Sequence, residues 1–334
     1  DARLLRLVQL GLGLWLVVSF VTHRGLWGSD LAALWFAGQF WAEGLPDLVY
    51  AAPPYFFGDT PPEWQSLFAA EGSYPGREAF PYLYPPLWAA LMAPVTEAMP
   101  IARFFDLALA LSLAMLAGSV LLAERIARPK GMARWVFLGW GLVVLATSTC
   151  ARASIELLQP SIATAFLTLL SFALLRRYPL AAGAALALAA ALKLTPAAFV
   201  LLFLIRGQFR AAAGFAVAGG ALALASLSLG WPIHAAFLAQ LDHAGGHSIW
   251  MMMNPSARVL ALYLVDAAGL AHLFEPLRLI ARPEGHFALI FMPDWIGRAA
   301  ALAALAVGLA GGALLARRPG RRADAIGLLA LSVT

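Results

Sequence analysis

The stretch LLRLVQLGLGLWLVVSFV, residues 4–21, carries one charged side chain, Arg6, and is long enough to cross a lipid bilayer as a helix. The whole chain of 334 residues is 62% hydrophobic and 12% charged, whereas soluble domains carry about 25% charged residues. The sequence therefore predicts an all-α polytopic membrane protein, formed by a single integral membrane domain over 1–334. Further predicted spans are 101–122, 135–149, 160–175, 179–192, 195–205, 211–229 and 296–316.

The positive charge of the chain is typical of a membrane protein. Its net charge of +5 comes from Lys and Arg in short loops between the apolar runs. A nucleic-acid-binding protein would need a contiguous basic surface, so no nucleic-acid partner is expected. The lone cysteine, Cys150, cannot form an intramolecular disulfide and offers no zinc cluster.

The basic loops predict the orientation of the spans, because Lys and Arg are enriched on the cytoplasmic side. Arg3 and Arg6 lie at the start of the first span, which is predicted to stay uncleaved. The opposite, external side then holds long loops at 22–85 and 231–295 and short ones near 150–159 and 193–196. The apolar segment 86–99 is a short span or a re-entrant piece. The apolar run from Ala325 to Thr334 predicts that the full protein continues.

The first external loop opens with GSDLAALWFAG, residues 28–38, which places the carboxylate of Asp30 just beyond the first span. Residues 31–43 have a partly apolar, aromatic face, which predicts a helix lying in the membrane interface. The sequence Pro61-Pro62-Glu63-Trp64 predicts the start of a second such helix, since Pro suits a first turn. We therefore expect Asp30 at the lipid–water boundary, where a substrate with a lipid tail and a polar head would meet it.

Five stretches, in order, resemble glycosyltransferase family 87. The similarity covers roughly residues 25–260, and one departure is Leu158, where the family usually has Gly before Gln159. A late N-x-S element matches at Asn254 and Ser256. The other four are GSDLAALWFAGQFWAEGLPDLVYAA (28–52), PYLYPPLWAALMAP (81–94), IELLQPSIATAFLTLL (155–170) and RRYPLAAGAALALAAALKLTPAAFVLLFLIRGQFR (176–210).

This resemblance implies a GT-C-type helix bundle whose large first external loop carries a catalytic acid. It also implies a polyprenyl-phosphate-linked sugar as donor; the best-known members are mannosyltransferases that extend bacterial glycolipids. We therefore expect an inverting sugar transfer to a glycolipid or polysaccharide acceptor. The expected location is the bacterial plasma membrane, with membrane lipids around the helices and the active site on the periplasmic or extracellular side. The absence of DxD, Walker and GxGxxG motifs predicts no metal, cofactor or nucleotide-sugar donor.

Asp30 and Lys193 are the main candidates for chemistry. Inverting transfer needs a base that takes the proton of the acceptor hydroxyl, and Asp30 suits that role. Alternatively, Ser29 or Asp30 caps the helix that follows. Lys193 lies between an apolar span and Thr195-Pro196, where it would stabilise the leaving phosphate of the donor. Its alternative is an ordinary lysine that extends to the interface.

The stretch CARASIELLQPS, residues 150–161, adds two polar candidates. Arg152 and Glu156 are four residues apart, which predicts an ion pair on one helix face. We favour that pair over a direct contact between Arg152 and the donor. Gln159 would hydrogen-bond the sugar or phosphate, or instead join two helices.

The second external loop holds the remaining candidates. In DHAGGHS, residues 242–248, His243 and His247 would contact phosphate or sugar hydroxyls, although Gly245-Gly246 favours a solvated loop. A metal site there lacks a third ligand. Arg258 would bind phosphate or anchor the chain at the interface, and Asn254 of the N-x-S element is a further candidate for binding the phosphate or sugar of the donor.

Two other functions fit a polytopic chain. A transporter or flippase of lipid-linked glycans would show internal repeats and charges near the bilayer midplane. The sequence shows no clear repeat, and its charged candidates cluster at external span ends, which favours the enzyme. A non-catalytic scaffold would leave the acidic, aromatic first loop without a purpose.

Overall fold

The computed structural model describes residues 1–53, 60–67, 77–245, 247–250, 257–270 and 288–291, and parts of 298–311. Helices dominate this part of the chain, as the all-α membrane prediction requires. They are α1 (Ala2–His23), α2 (Ser29–Ala42), α3 (Pro86–Ala98), α4 (Ile101–Ala127), α5 (Arg134–Thr147), α6 (Thr149–Glu156), α7 (Ser161–Leu174), α8 (Pro179–Leu192), α9 (Val200–Ile205), α10 (Phe209–Leu227), α11 (Trp231–Gly245) and α12 (Ala257–Ala267).

Short elements complete the described fold. The 3-10 helices are Pro46–Leu48, Pro62–Trp64 and Thr195–Phe199. The strands β1 (His247–Trp250) and β2 (Ala288–Phe291) form an antiparallel pair in which His247 faces Phe291. The helical start predicted at Pro61-Pro62 is confirmed, with Pro62 at the first position of its turn.

Three of the described helices are long and apolar enough to cross a membrane: α1, α4 and α10, with 22, 27 and 19 residues. A fourth candidate span is the pair α5–α6, which bends by 58° at Ser148. The Ser148 hydroxyl accepts a hydrogen bond from the backbone N–H of Ala151, which caps α6 and fixes the bend. These helices agree with the predicted polytopic class.

The other predicted spans are present as shorter apolar helices. The predictions at 160–175, 179–192 and 195–205 correspond to α7, α8 and the 3-10 turn followed by α9. Segment 86–99 forms α3, a helix of 13 residues that begins at Pro86 and contains Pro94. A straight crossing needs about 20 residues, so α3 alone is too short to span. Of the prediction at 296–316, the structure describes only parts.

Apolar side chains surround α2 on nearly every side. Trp35, Phe36 and Phe40 are at most 2% exposed, and Trp64 packs against both phenylalanines. On another side, Gly38 lies so close to Met92 of α3 that a Cβ would overlap it. The sequence predicts an apolar face on one side of α2. The helix instead lies inside a core that Trp64 and α3 complete.

The helix pair α8–α10 packs backbone against backbone. A Cβ on Gly183 would overlap the carbonyl oxygen of Ala211, and a Cβ on Gly214 would overlap that of Leu180. Such contacts require glycine, as small residues allow close approach of membrane helices. This packing fixes α8, which ends immediately before Lys193.

Large apolar side chains cover the outside of the described helices. In α1 they follow one another along the outer surface at about helical spacing, with Leu10 69% exposed. A helix that is apolar on its exposed side is typical of contact with lipid. The exposed members of this row in α1 are Leu7, Leu10, Leu14, Val17 and Val21.

Candidate active site

Asp30 lies in the first turn of α2, as its second residue. The residue before the helix is Gly28, and no side chain caps the helix N-terminus. The capping alternative, in which Ser29 or Asp30 would satisfy the free N–H groups, is therefore wrong. A carboxylate in a first turn still benefits from the positive end of the helix dipole.

The turn that follows α6 presses against this helix start. The backbone N–H of Asp30 donates a hydrogen bond to the carbonyl oxygen of Leu157 over 3.3 Å. Gly28 leaves room for the buried side chain of Leu158, because a Cβ on Gly28 would lie 2.6 Å from it. Leu158 has φ of 50°, the left-handed region that favours glycine. This is the position where the sequence departs from the family's Gly, and the backbone shape there is the one a glycine would adopt.

The same turn brings Gln159 to Asp30. The Gln159 side chain lies close enough to the Asp30 carboxyl group to lower its pKa. Gln159 in turn accepts a long hydrogen bond of 3.5 Å from the Ser154 hydroxyl. Two candidates that are remote in sequence thus meet at one point.

Lys193 is the third candidate at this point. It is the first residue after α8, and its side chain is exposed. Its Nζ donates a hydrogen bond of 2.8 Å to the hydroxyl of Ser161, the first residue of α7. Its positive charge also acts on Asp30. Lys193 is therefore held by Ser161 within electrostatic range of Asp30, and its side chain remains open to a ligand.

The electrostatics of Asp30 follow from this arrangement. Burial raises the pKa of the half-buried carboxyl above its usual 3.8, while the charge of Lys193 and then the amide of Gln159 lower it. Desolvation disfavours the charged form, and the two neighbours favour it. A carboxylate with a raised pKa accepts a proton more readily than an ordinary aspartate, which is what a general base requires.

Tyr84, which was not a candidate from the sequence, lies within electrostatic range of Asp30. Burial and then the negative charge of Asp30 raise the pKa of the Tyr84 hydroxyl. The Tyr50 hydroxyl donates a 2.7 Å hydrogen bond to the Tyr84 carbonyl, and the ring of Tyr82 packs between those of Tyr50 and Tyr84. The signal that points to Tyr84 is the YPP element of residues 84–86.

Helix α3 connects the segment that contains Tyr82 and Tyr84 to the region of Lys193. The indole N–H of Trp88 donates a hydrogen bond of 2.7 Å to the carbonyl oxygen of Ala191, in the last turn of α8. Lys193 follows two residues later. The bond from Trp88 therefore positions the backbone just before Lys193, and Ser161 positions the Lys193 side chain. Neither Trp88 nor Ser161 was predicted from the sequence.

Arg152 and Glu156 form the ion pair that their spacing predicts. The Arg152 Nε lies 2.7 Å from the Glu156 carboxylate, and the two side chains are 76% and 42% exposed. Both lie on α6, which ends at Glu156, directly before the Leu157 carbonyl that contacts Asp30. The structure pairs Arg152 with Glu156 and gives no contact between Arg152 and Asp30.

The candidates in residues 231–295 are only partly described. Asp242 and His243 lie in α11, which continues to Gly245, so the expected loop is wrong for these residues. His247 belongs to β1 and Arg258 to α12, but their side chains, like the whole of Asn254, lie outside the described residues. Within the described residues, no group of three or more His, Cys, Asp or Glu could hold a metal ion.

The sequence profile of glycosyltransferase family 87 matches residues 82–334, which is more than half of the chain. The match includes Tyr84, Gln159 and Lys193, whereas Asp30 precedes it. No curated protein and no solved structure matches the chain significantly. The matched region also contains the helices that hold Gln159 and Lys193 beside Asp30. The chain belongs to glycosyltransferase family 87.

Proposed function

We propose that this membrane glycosyltransferase moves a sugar, with inversion, from a polyprenyl-phosphate donor to the hydroxyl of a glycolipid or polysaccharide acceptor. One observation carries the proposal. Asp30 and Lys193, which are remote in sequence, lie within electrostatic range of each other as a half-buried carboxyl group and an exposed ammonium group. A base for the acceptor and a cation for the leaving phosphate are the two groups that this reaction needs.

The steps follow from the positions of the groups. Asp30 takes the proton from the acceptor hydroxyl as that oxygen attacks the anomeric carbon of the sugar. The bond between this carbon and the phosphate oxygen breaks, and the electron pair stays on the departing phosphate. Lys193 stabilises the added negative charge, while Gln159 orients the Asp30 carboxylate. The proton stays on Asp30 until solvent removes it.

The side of the membrane is part of the proposal. Asp30, Gln159 and Lys193 belong to 22–85, 150–159 and 193–196, segments that the charge rule assigns to the external side. Their meeting at one site supports that common assignment. We place the reaction on the periplasmic or extracellular face of a bacterial plasma membrane. Mannose is the proposed sugar, in keeping with the best-known members of the family.

The experiment that tests this function is sugar transfer in proteoliposomes. Purified wild-type protein receives synthetic polyprenyl-phosphate mannose and a membrane extract as acceptor source, and products are detected by mass spectrometry. We expect a mannosylated product from this donor and none from GDP-mannose. Transfer from GDP-mannose alone would show that the proposed polyprenyl-phosphate donor is wrong. Movement of the lipid donor between leaflets without any product would instead support a flippase.

A further inference from the structure

A cavity lies between α2 and α3, away from the candidate active site. Its volume is about 240 Å³. Both helices contribute their C-terminal halves to its wall, and neither Asp30 nor Lys193 is part of it. The lining residues are Trp35, Gln39, Ala42, Glu43, Thr96 and Glu97.

Two polar atoms in this wall are buried without a hydrogen-bond partner among the described residues. They are Nε1 of Trp35, whose side chain is 2% exposed, and Oε1 of Gln39. Buried polar atoms of folded proteins are nearly always paired, so each unpaired one needs an explanation. The indole N–H needs an acceptor and the amide oxygen needs a donor. A ligand hydroxyl group satisfies both, because it donates and accepts.

The rim of the cavity excludes an anion. Glu43 and Glu97 are exposed at its edge, and Glu43 also accepts a hydrogen bond of 3.4 Å from the Gln39 amide. Two carboxylates repel a phosphate but accept hydrogen bonds from hydroxyl groups. A metal ion fits poorly, since the indole N–H cannot coordinate one. The floor is also partly apolar, with the Trp35 ring 5.2 Å from that of Phe104.

We propose that this cavity binds one neutral sugar ring of the acceptor, as an anchoring site separate from the reaction. That the sugar belongs to the acceptor rests on the proposed function, whereas the affinity for a neutral sugar rests on the cavity alone. Ligand cavities start near ~300 Å³ for drug-sized molecules, so a cavity below that size suits a single ring. With about 1.5 Å of rise and 100° of rotation per residue, Gln39 lies ~13 Å along α2 from Asp30, on its opposite side. The bound ring is therefore several units away from the hydroxyl that reacts.

Direct binding tests the proposal without relying on catalysis. Wild-type protein in nanodiscs is mixed with methyl glycosides of mannose, glucose, galactose and arabinose at millimolar concentration, and saturation-transfer NMR measures binding. We expect at least one glycoside to bind. We also expect Gln39→Met and Glu97→Gln each to weaken that binding about tenfold, because the first removes a hydrogen-bonding amide and the second replaces a charged acceptor by a weaker neutral one. A parallel arm uses vesicles that carry a neutral mannosyl glycolipid.

Two controls make the outcome decisive. Glu63→Gln removes an exposed carboxylate of the same loop outside the cavity, and Asp30→Asn removes the proposed base. Both should bind like wild type, so a failure of sugar transfer does not affect this test. Binding of the vesicles alone identifies a lipid-borne sugar, and binding of both probes shows that a ring suffices. The proposal is overturned if neither probe binds, or if Gln39→Met and Glu97→Gln bind like wild type.

Discussion

The backbone N–H of Asp30 and the carbonyl oxygen of Leu157 form a hydrogen bond of 3.3 Å that joins the start of α2 to the end of α6. This contact exists because Gly28 has no side chain and Leu158 occupies the space beside it. The geometry of the candidate base therefore depends on two residues that carry no chemistry themselves.

Gly28→Ala should reduce sugar transfer strongly. The new Cβ would lie within 3 Å of three side-chain atoms of Leu158, including its Cβ, so the turn that carries Gln159 must move. Misplacement of a catalytic group by about 1 Å can cost ~100-fold in rate. The measurement is kcat for transfer, with Gly13→Ala as the control, because a Cβ at Gly13 meets nothing within 4 Å. A wild-type kcat in Gly28→Ala would contradict the dependence of sugar transfer on this turn.

Lys193→Gln should shift the acid limb of the pH–rate profile to higher pH. Asp30 works as a base only when it is deprotonated, so the rate rises with pH through its pKa. The charge of Lys193 lowers that pKa, and its removal lets burial raise it further. Lys193→Arg keeps the charge and should restore the wild-type position of the limb. A limb that stays in place, or moves to lower pH, in Lys193→Gln would show that the charge does not act on the base.

Gln159→Met should move the same limb in the same direction, but by less. The Gln159 amide lowers the pKa of Asp30 less than the Lys193 charge does. Met has a similar length and cannot donate a hydrogen bond. The pH–rate profiles of wild type and the two variants show which of the two side chains lowers the pKa of Asp30 more. A larger shift in Gln159→Met than in Lys193→Gln would reverse the assigned roles.

Arg152→Gln should leave transfer close to wild type. Arg152 is paired with Glu156 on an exposed helix face, and exposed ion pairs contribute little to stability. We expect kcat and the KM for the donor to change by less than about threefold, compared with a large rise in KM if Arg152 held the phosphate. The donor titration of this variant therefore separates the ion-pair prediction from the donor-contact alternative.

Gly214→Ala should lower the thermal stability of the protein. Its Cβ would overlap the backbone of Leu180, and overpacking of this kind costs about 1–3 kcal/mol. Gly220→Ala is the matched control on the same helix, because a Cβ there meets nothing within 4 Å. Alanine favours a helix over glycine, so the control should be neutral or stabilising. Equal melting temperatures for the two variants in detergent would contradict the close packing of α8 and α10.

Hydrophobic runs and proline positions predicted most of the fold. The apolar segments locate α1, α4, α8 and α10 to within a few residues, because membrane helices need long apolar stretches. The enclosure of α2 was not predictable in the same way. Its aromatic residues suit an interfacial helix equally well, and only the packing of Trp64 and α3 around it removes that ambiguity.

The candidate site was predicted residue by residue, but not as an arrangement. Asp30, Gln159 and Lys193 were each identified, whereas the approach of Gln159 to Asp30 depends on the left-handed turn at Leu158. A leucine there gives no signal for such a turn, which usually requires glycine. Tyr84, Trp88 and Ser161 were missed because their roles depend on contacts between distant helices.

The most direct test of the central claim, that Asp30 is the base, compares wild type with Asp30→Asn in the polyprenyl-phosphate mannose assay. Asn preserves size and cannot take the proton, and a general base contributes about 10²–10⁴-fold in rate. A thermal unfolding measurement on both proteins controls for folding; burial disfavours the charged carboxylate, so we expect no loss of stability. The account predicts that Asp30→Asn is as stable as wild type and loses at least ~100-fold in kcat. Equal transfer by the two proteins would contradict it.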